Sequence, residues 1–371
     1  MTRGILYATE CKMNGNGIDL VVAKQIDALA AAGYPVDLVA RGRHDAPGTR
    51  NRTWRLPPSK LLSWLPSKEY YAANSRCFSW LGAGYLDVRR HRLAIAWTHT
   101  ARDLFRAAKR QGIPCVLNVA GPHRLHNPRA LVGLRWPRLP LERTLEEYRL
   151  ADRILVASDF AAATFITHGV SADKIRVVYR GADLTAFHPP AVKPPRPFIV
   201  ASCGLLGDRK GTYQLLRAWR QAALPEAELW LIGHVPANEA EALHALAMPS
   251  VRFLGFRRDL PALLGQAHLH VLLSRNEGFA KVTLEAAAAG AVNLCTAETG
   301  LPPGAPGALF IDDRDDIDRV ATLLVDAHAH ADDCVAQGLQ ARAYVADNFT
   351  WQAFGARVVA AVKELLTEGQ P

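Results

Sequence analysis

Arg209 and Lys210 stand side by side in CGLLGDRKG (203–211), between an apolar run and a helical stretch. Cations at a helix start oppose the helix dipole, and a bound diphosphate removes that conflict. The order differs from a P-loop, G-x-x-x-x-G-K-[ST], so the segment reads as a diphosphate clamp of another kind or as a solvated basic pair. NGNG (14–17) also follows an apolar run and opens a helix, where Gly15 and Gly17 let backbone N–H groups approach an anion. It is not G-x-G-x-x-G, and Ala40-Arg41 stands where a nicotinamide dinucleotide would need an acid, so that cofactor is disfavoured. A third segment, SRNEGFAKVTLEAAAAG (274–290), holds Glu277 in a strand–helix loop and Glu285 about two turns into the helix, near Lys281 and Val282. Gly278 permits an unusual backbone beside a ligand. Asp313-Arg314-Asp315 spells D-x-D, which can hold a divalent cation, yet acids before a helix also suit its dipole.

These segments share a place: each follows a short apolar run. GILYA (4–8), VDLVA (36–40), LAIAW (93–97), CVLNV (115–119), RILVA (153–157) and IRVVY (175–179) are expected strands of the first half. FIVASCG (198–204), ELWLIG (228–233), VRFLG (251–255), LHVLLS (269–274), AVNLCT (291–296) and ALFI (308–311) are those of the second. Runs this short and apolar throughout suit parallel strands buried on both faces. Helices are expected between them: at 18–32, with Ile18, Val21, Val22, Ile26 and Leu29 on one face; at 159–168 capped by Ser158; and at 210–222, 238–247, 259–267 and 279–289. Strand–helix alternation implies parallel sheets with right-handed crossovers, and twelve strands make two Rossmann-like domains of an α/β protein. Five prolines in HPPAVKPPRP (188–197) mark the linker. The expected domains are 1–188, a linker 189–197, 198–349, and a last helical segment 350–371 preceded by a helix at 333–347. In such sheets ligands bind beyond the carboxyl ends of the strands, where the three loops lie.

The chain has 371 residues with 49% hydrophobic and 21% charged side chains, a composition that forms cores and excludes disorder. Its six cysteines form no C-x-x-C pair or metal spacing, so reduced, mostly buried thiols and a cytoplasmic location are expected. The N-terminus does not read as a signal peptide, and no apolar stretch approaches the ~20 residues of a spanning helix. The net charge of +9 is uneven: residues 1–190 carry 28 basic and 15 acidic side chains, and residues 191–371 carry 16 and 20. The excess concentrates in 41–143 and includes WRLPPSKLLSWLPSKEYYAANSRCFSWLGAGYL (54–86), where three tryptophans and three tyrosines stand among cations. That mixture suits an anionic membrane interface, stacking on sugars or bases, or a helical insert packing its aromatics inward. A second basic loop, AGPHRLHNPRALVGLRWPRLP (120–140), lies at the same strand-end face.

The motif S-x-x-E-G-F-x-x-V-x-L-E-A-x-A-x-G at 274–290 resembles the E-x7-E signature of the retaining, nucleotide-sugar-dependent family-4 glycosyltransferases of the GT-B fold. The resemblance extends through residues 141–189, LLGDRKGTYQLLRAW, ELWLIG and VRFLGFRRDLPALLGQAHLHVLLS, in the family's order. It implies two Rossmann-like domains facing across a cleft, with the terminal helix returning to the first. It implies a nucleoside-diphosphate sugar as donor substrate, no metal and no cofactor. By resemblance Glu277 meets the donor sugar, the N–H groups of Gly278 and Phe279 approach it, Val282 and Thr283 lie near ribose and diphosphate, and Glu285 binds the ribose. Lys210 matches the phosphate-binding lysine, Phe256 and Arg257 the nucleobase side, and Gly15 and Gly17 the glycine loop facing the diphosphate. Two departures stand out: Leu205 replaces the family's arginine, with Arg209 positioned to supply its charge, and Ala120 replaces its histidine, for which His123 and His99 are rival substitutes or chance loop histidines. The expected activity is metal-independent transfer of a sugar, with retention, to a glycan, lipid-linked or other small, anionic acceptor, with peripheral contact to an anionic membrane and no nucleic acid. Two rivals stay open: a GT-B epimerase or hydrolase, which needs no acceptor, and a basic nucleic-acid-binding protein.

Overall fold

The computed structural model describes residues 3–15, 17–53, 67–126, 138–193 and 196–368. Part of each basic segment, 54–66 and 127–137, lies outside the described residues. Two compact units divide the chain: Met1–Tyr179 with Gln352–Pro371, and Arg180–Trp351.

Among the described residues the first unit is built on seven parallel strands in the order β3-β2-β1-β4-β5-β6-β7. They are β1 (Gly4–Ala8), β2 (Val36–Ala40), β3 (Thr49–Thr53), β4 (His91–Trp97), β5 (Cys115–Asn118), β6 (Arg153–Val156) and β7 (Ile175–Val177). Six were expected; the seventh, β3, reads TRNRT and among the described residues pairs with β2 alone. An edge strand needs no continuous apolar run, and here Arg50 instead reaches the buried Asp37 of β2 at 2.6 Å. The crossovers include α1 (Ile18–Ala31), α2 (Ser67–Tyr85), α3 (Arg102–Arg110), α4 (Arg138–Leu150) and α5 (Asp159–Thr167). Helix α1 buries Val21, Val22, Ile26 and Leu29 as its periodicity predicts, whereas Ile18 in its first turn is exposed. Ser158 caps α5 by accepting the Ala161 N–H at 3.1 Å.

The second unit holds six parallel strands in the order β10-β9-β8-β11-β12-β13. They are β8 (Phe198–Cys203), β9 (Ala227–Ile232), β10 (Val251–Gly255), β11 (Leu269–Leu272), β12 (Val292–Thr296) and β13 (Ala308–Ile311). Around them lie α6 (Thr212–Ala222), α7 (Ala237–Leu246), α8 (Leu260–Gln266), α9 (Lys281–Ala288), α10 (Ile317–Ala329) and α11 (Ala331–Asn348). Strands β8, β11 and β12 are buried along their whole length, which explains their unbroken apolar runs. The proline-rich stretch begins against this unit, where Lys193 Nζ donates to the carbonyls of Ala267 and Gly290 at 2.7 and 2.8 Å.

Helix α12 (Trp351–Glu368) closes the chain and belongs almost entirely to the first unit. It buries Phe354, Val358, Val362 and Leu365, and Gly355 sits so close to Ala28 of α1 that a Cβ there would lie 2.8 Å from the Ala28 methyl. Arg153 reaches Glu368 at 2.5 Å, and Arg176 pairs with Glu364.

Candidate active site

In each sheet the strand order reverses once, between β1 and β4 and between β8 and β11. At such a switch point the loops diverge to opposite faces and leave a crevice beyond the strand ends. The loops after β8 and β11 are CGLLGDRKG and SRNEGF, so the two motifs flank one crevice of the second unit.

After β8 the chain makes a tight turn over Asp208–Lys210 and enters α6 at Gly211. Gly211 has φ 76°, and a Cβ there would lie 2.3 Å from the Leu273 carbonyl oxygen, so this close approach to the β11 end demands glycine. The Gly207 N–H donates to Thr212 Oγ1 at 2.8 Å, closing the turn. Arg209 and Lys210 emerge from it toward Glu277. Arg209 Nη1 lies 2.5 Å and Lys210 Nζ 2.7 Å from Glu277 Oε1, and Ser274 Oγ donates to the same oxygen at 3.0 Å. Lys210 is 8% exposed, and burial lowers its ammonium pKa against the opposing pull of Glu277. Two cations on one carboxylate leave a local excess of one positive charge.

Helix α9 carries the second glutamate. Glu285 is buried and paired with Lys281 one turn earlier. Thr283 is fully buried, its hydroxyl donating to the Ala280 carbonyl at 2.8 Å, while Val282 is half-buried. Gly278 is buried and Phe279 half-buried in the loop before it. Past β10, Phe256 is 81% exposed, and Arg257 grips Asp259 through Nε and Nη2 at 2.8 and 2.6 Å. A free aromatic face beside a fixed guanidinium can stack a flat ring.

The other four expected residues belong to the first unit. Gly15 and Gly17, with φ 80° and 53°, shape the entry to α1, where Gly17 is the N-cap without a side-chain bond. His99 follows β4 with φ 80°, an unusual conformation for a non-glycine residue. Its N–H donates to Glu147 Oε2 at 2.7 Å, and its Nδ1 lies 3.2 Å from Thr144 Oγ1. His99 thus sits on a loop clamped from α4, and desolvation of its ring, then Arg124 and Arg143, lower its pKa to about 4. His123 is 3% exposed, stacked on His168 at 4.6 Å and packed on Tyr148 and Phe165. Burial, then His168 and His126, hold its pKa down at about 4. Ala120 itself is exposed, as is Leu205.

Asp313 and Asp315 are tied to protein donors: Asp313 Oδ1 accepts the Asp315 N–H at 2.9 Å, and Asp315 Oδ1 accepts Gln214 Nε2 at 2.6 Å. The α10 N-cap is Asp316, which accepts the Arg319 N–H at 2.9 Å. Among the described residues no cluster of three His, Cys, Asp or Glu could hold a metal ion, and no helix is long and apolar enough to cross a membrane. The partner roles of Ser274, Glu147 and Arg314 are not among the sequence expectations. Only Ser274 carries a local signal, as the first residue of the S-x-x-E pattern.

Residues 15–186 match the model of Glycosyltransferase Family 4, and residues 197–328 that of the glycosyl transferases group 1. The chain belongs to the GT-B glycosyltransferases of this family-4 and group-1 type. Solved structures repeat the fold. Sucrose-phosphate synthase from Thermosynechococcus elongatus superposes with a TM-score of 0.76 at 21% identity, covering 99% of this chain and 100% of its own. Trehalose 6-phosphate synthase from Burkholderia multivorans does so at 0.71 and 15%, covering 100% of both chains. HepE from Anabaena, solved with UDP and glucose, reaches 0.67 at 17%, covering 98% of this chain and 100% of its own. No curated protein matches the chain by sequence.

Proposed function

We propose that this protein moves a sugar from a nucleoside-diphosphate sugar to an anionic glycan or lipid-linked acceptor, with retention of configuration and without a metal ion. The observation that carries the reading is the convergence of Arg209 and Lys210 on Glu277 at the switch point of the second sheet. In the transfer, the bond between the anomeric carbon and a phosphate oxygen breaks, the acceptor oxygen forms the new bond, and the acceptor's hydroxyl proton is released. Negative charge grows on the departing diphosphate, where Arg209 and Lys210 stabilise it. Glu277 orients the donor hydroxyls, the N–H groups of Gly278 and Phe279 approach the sugar, and Glu285 takes the ribose, with Val282 and Thr283 beside it. Phe256 and Arg257 receive the base. Of the two histidines, His99 is taken as the substitute for the family's histidine, since His123 is buried in aromatic packing.

The +13 balance of residues 1–190 favours an anionic acceptor or an anionic bilayer on that side. HepE is bound to UDP in its structure, which makes UDP the first donor nucleotide to try. Thermal unfolding with a panel of nucleoside diphosphates tests the site, since a ligand at 100 times its Kd adds about 2.7 kcal/mol. The expected result is an upward shift with one diphosphate; no shift with any of them overturns the reading. Donor turnover at full rate without acceptor would instead assign an epimerase or hydrolase.

A further inference from the structure

Arg314, the middle residue of the D-x-D run, is 7% exposed in the loop between β13 and α10. Its guanidinium turns inward. Nη1 donates to the Leu273 carbonyl at 2.9 Å and more weakly to that of Arg209 at 3.4 Å. Nη2 donates to the Asp208 carbonyl and to Gln214 Oε1, both at 2.8 Å, and lies 3.3 Å from Asp208 Oδ1. One side chain thus joins the end of β11, the turn 208–210 and helix α6. Those are the elements that carry Glu277 on one side and Arg209 and Lys210 on the other. Other bonds tie the turn to the same strand end and to α7. The Arg275 N–H and Ser274 Oγ donate to the Arg209 carbonyl at 3.1 and 3.2 Å, Arg275 Nη2 reaches Asp208 Oδ1 at 2.9 Å, and the Asp208 N–H donates to Glu239 at 2.9 Å. Arg314 alone of these side chains also joins helix α6.

We propose that Arg314 is a positioning residue that fixes the 208–210 turn against the β11 end, so that Arg209 and Lys210 meet the donor diphosphate in register with Glu277. The role suits arginine specifically. A planar fork can serve three carbonyl acceptors at once, whereas a lysine ammonium at the same depth reaches fewer of them. A turn held only by its own short bonds would let the two cations drift, and charge placed an ångström off loses much of its effect on a leaving group.

The proposal rests on the donor-site reading above, and the test separates the two. Affinities for UDP and UMP are measured by calorimetry in the wild type, Lys210→Ala, Arg314→Lys and Arg314→Met, with GDP and GMP used instead if the wild type prefers guanosine. The ratio of the two affinities reports the grip on the second phosphate, which a general loosening of the unit would leave alone. The expected result is a ratio that falls about tenfold in Lys210→Ala and in both Arg314 variants, less in Lys than in Met. Gln214→Met, which removes one partner of the guanidinium, should give a smaller fall and serves where Arg314→Met does not fold. A ratio lost in Lys210→Ala but kept in the Arg314 and Gln214 variants overturns the proposal and leaves the donor site standing. A ratio unchanged in Lys210→Ala overturns the donor site, and the proposal with it.

Discussion

Lys210 Nζ lies 2.7 Å from Glu277 Oε1, and the two side chains are 9% and 14% exposed. Glu277 is shared between Lys210 and Arg209, yet the proposed tasks of Lys210 and Glu277 differ, and charge separates them. Lys210→Ala removes a cation from the leaving group and should weaken nucleoside-diphosphate binding while lowering turnover by roughly 10²–10³. Glu277→Gln frees both cations from their shared anion. It should bind nucleoside diphosphate as tightly as wild type or more so, and still lose turnover. Equal weakening of diphosphate binding in both variants would contradict these separate roles.

The family resemblance puts an arginine at the position of Leu205, and we propose that Arg209 supplies its charge. Arg209 Nη1 reaches Glu277, and a Cβ on Gly204, next to Leu205, would lie 3.3 Å from Lys210 Cε. The two positions therefore border the same charge cluster. Arg209→Ala should lower turnover at least tenfold, and Leu205→Arg in that background should recover part of the loss. A double variant no better than Arg209→Ala would show that the charge has not been relocated.

The parts of the fold that could be read in advance are those whose physics is local. FIVASC and LHVL are buried on both faces, so continuous apolar sequence identifies them as central strands. Ser158 sits at the start of its helix, and its cap is visible from neighbours three residues on. β3 was hidden because an edge strand of TRNRT buries little, and its partner Asp37 lies twelve or more positions away. Arg314 was hidden more thoroughly. Its flanking aspartates draw attention to a cation, while its own partner, the Leu273 carbonyl, is 41 residues distant. Glu147 reads as one acid among several in LERTLEEYRL, and nothing near it announces the amides of residues 99–102. Long-range side-chain to backbone bonds leave no periodicity in a sequence.

Glu147 makes a pH prediction. It is fully buried and accepts the N–H groups of His99, Ala101 and Arg102 at 2.7, 3.1 and 3.1 Å. Burial raises its carboxyl pKa to about 7, against the pull of those amides and of Arg143. The unfolded chain releases this proton near the ordinary 4.5, so between about 4.5 and 7 the folded state binds more protons. The contribution of Glu147 to stability therefore falls as pH rises through that window, by about 3 kcal/mol in all. Glu147→Gln cannot titrate, and its NH₂ faces one of the amides, so it should cost stability most at low pH. Unfolding of both proteins followed from pH 4.5 to 8 should show their gap closing as pH rises. A constant gap would place the titration elsewhere.

The attachment of α12 to the first unit separates packing from charge. Glu364 and Glu368 hold Arg176 and Arg153, but both carboxylates are 40% or more exposed, and such pairs contribute about 0–1 kcal/mol. Phe354 is fully buried in the same helix, and truncating such a ring costs about 3–5 kcal/mol through lost burial and the cavity left behind. Phe354→Ala should therefore lower the unfolding transition sharply, whereas Glu364→Gln should hardly move it, and 0.5 M salt should have as small an effect. The comparison is made by urea unfolding followed through tryptophan fluorescence. A Glu364→Gln loss rivalling that of Phe354→Ala would mean that the helix is held by its ion pairs, contrary to the burial of Val358, Val362 and Leu365 beneath it.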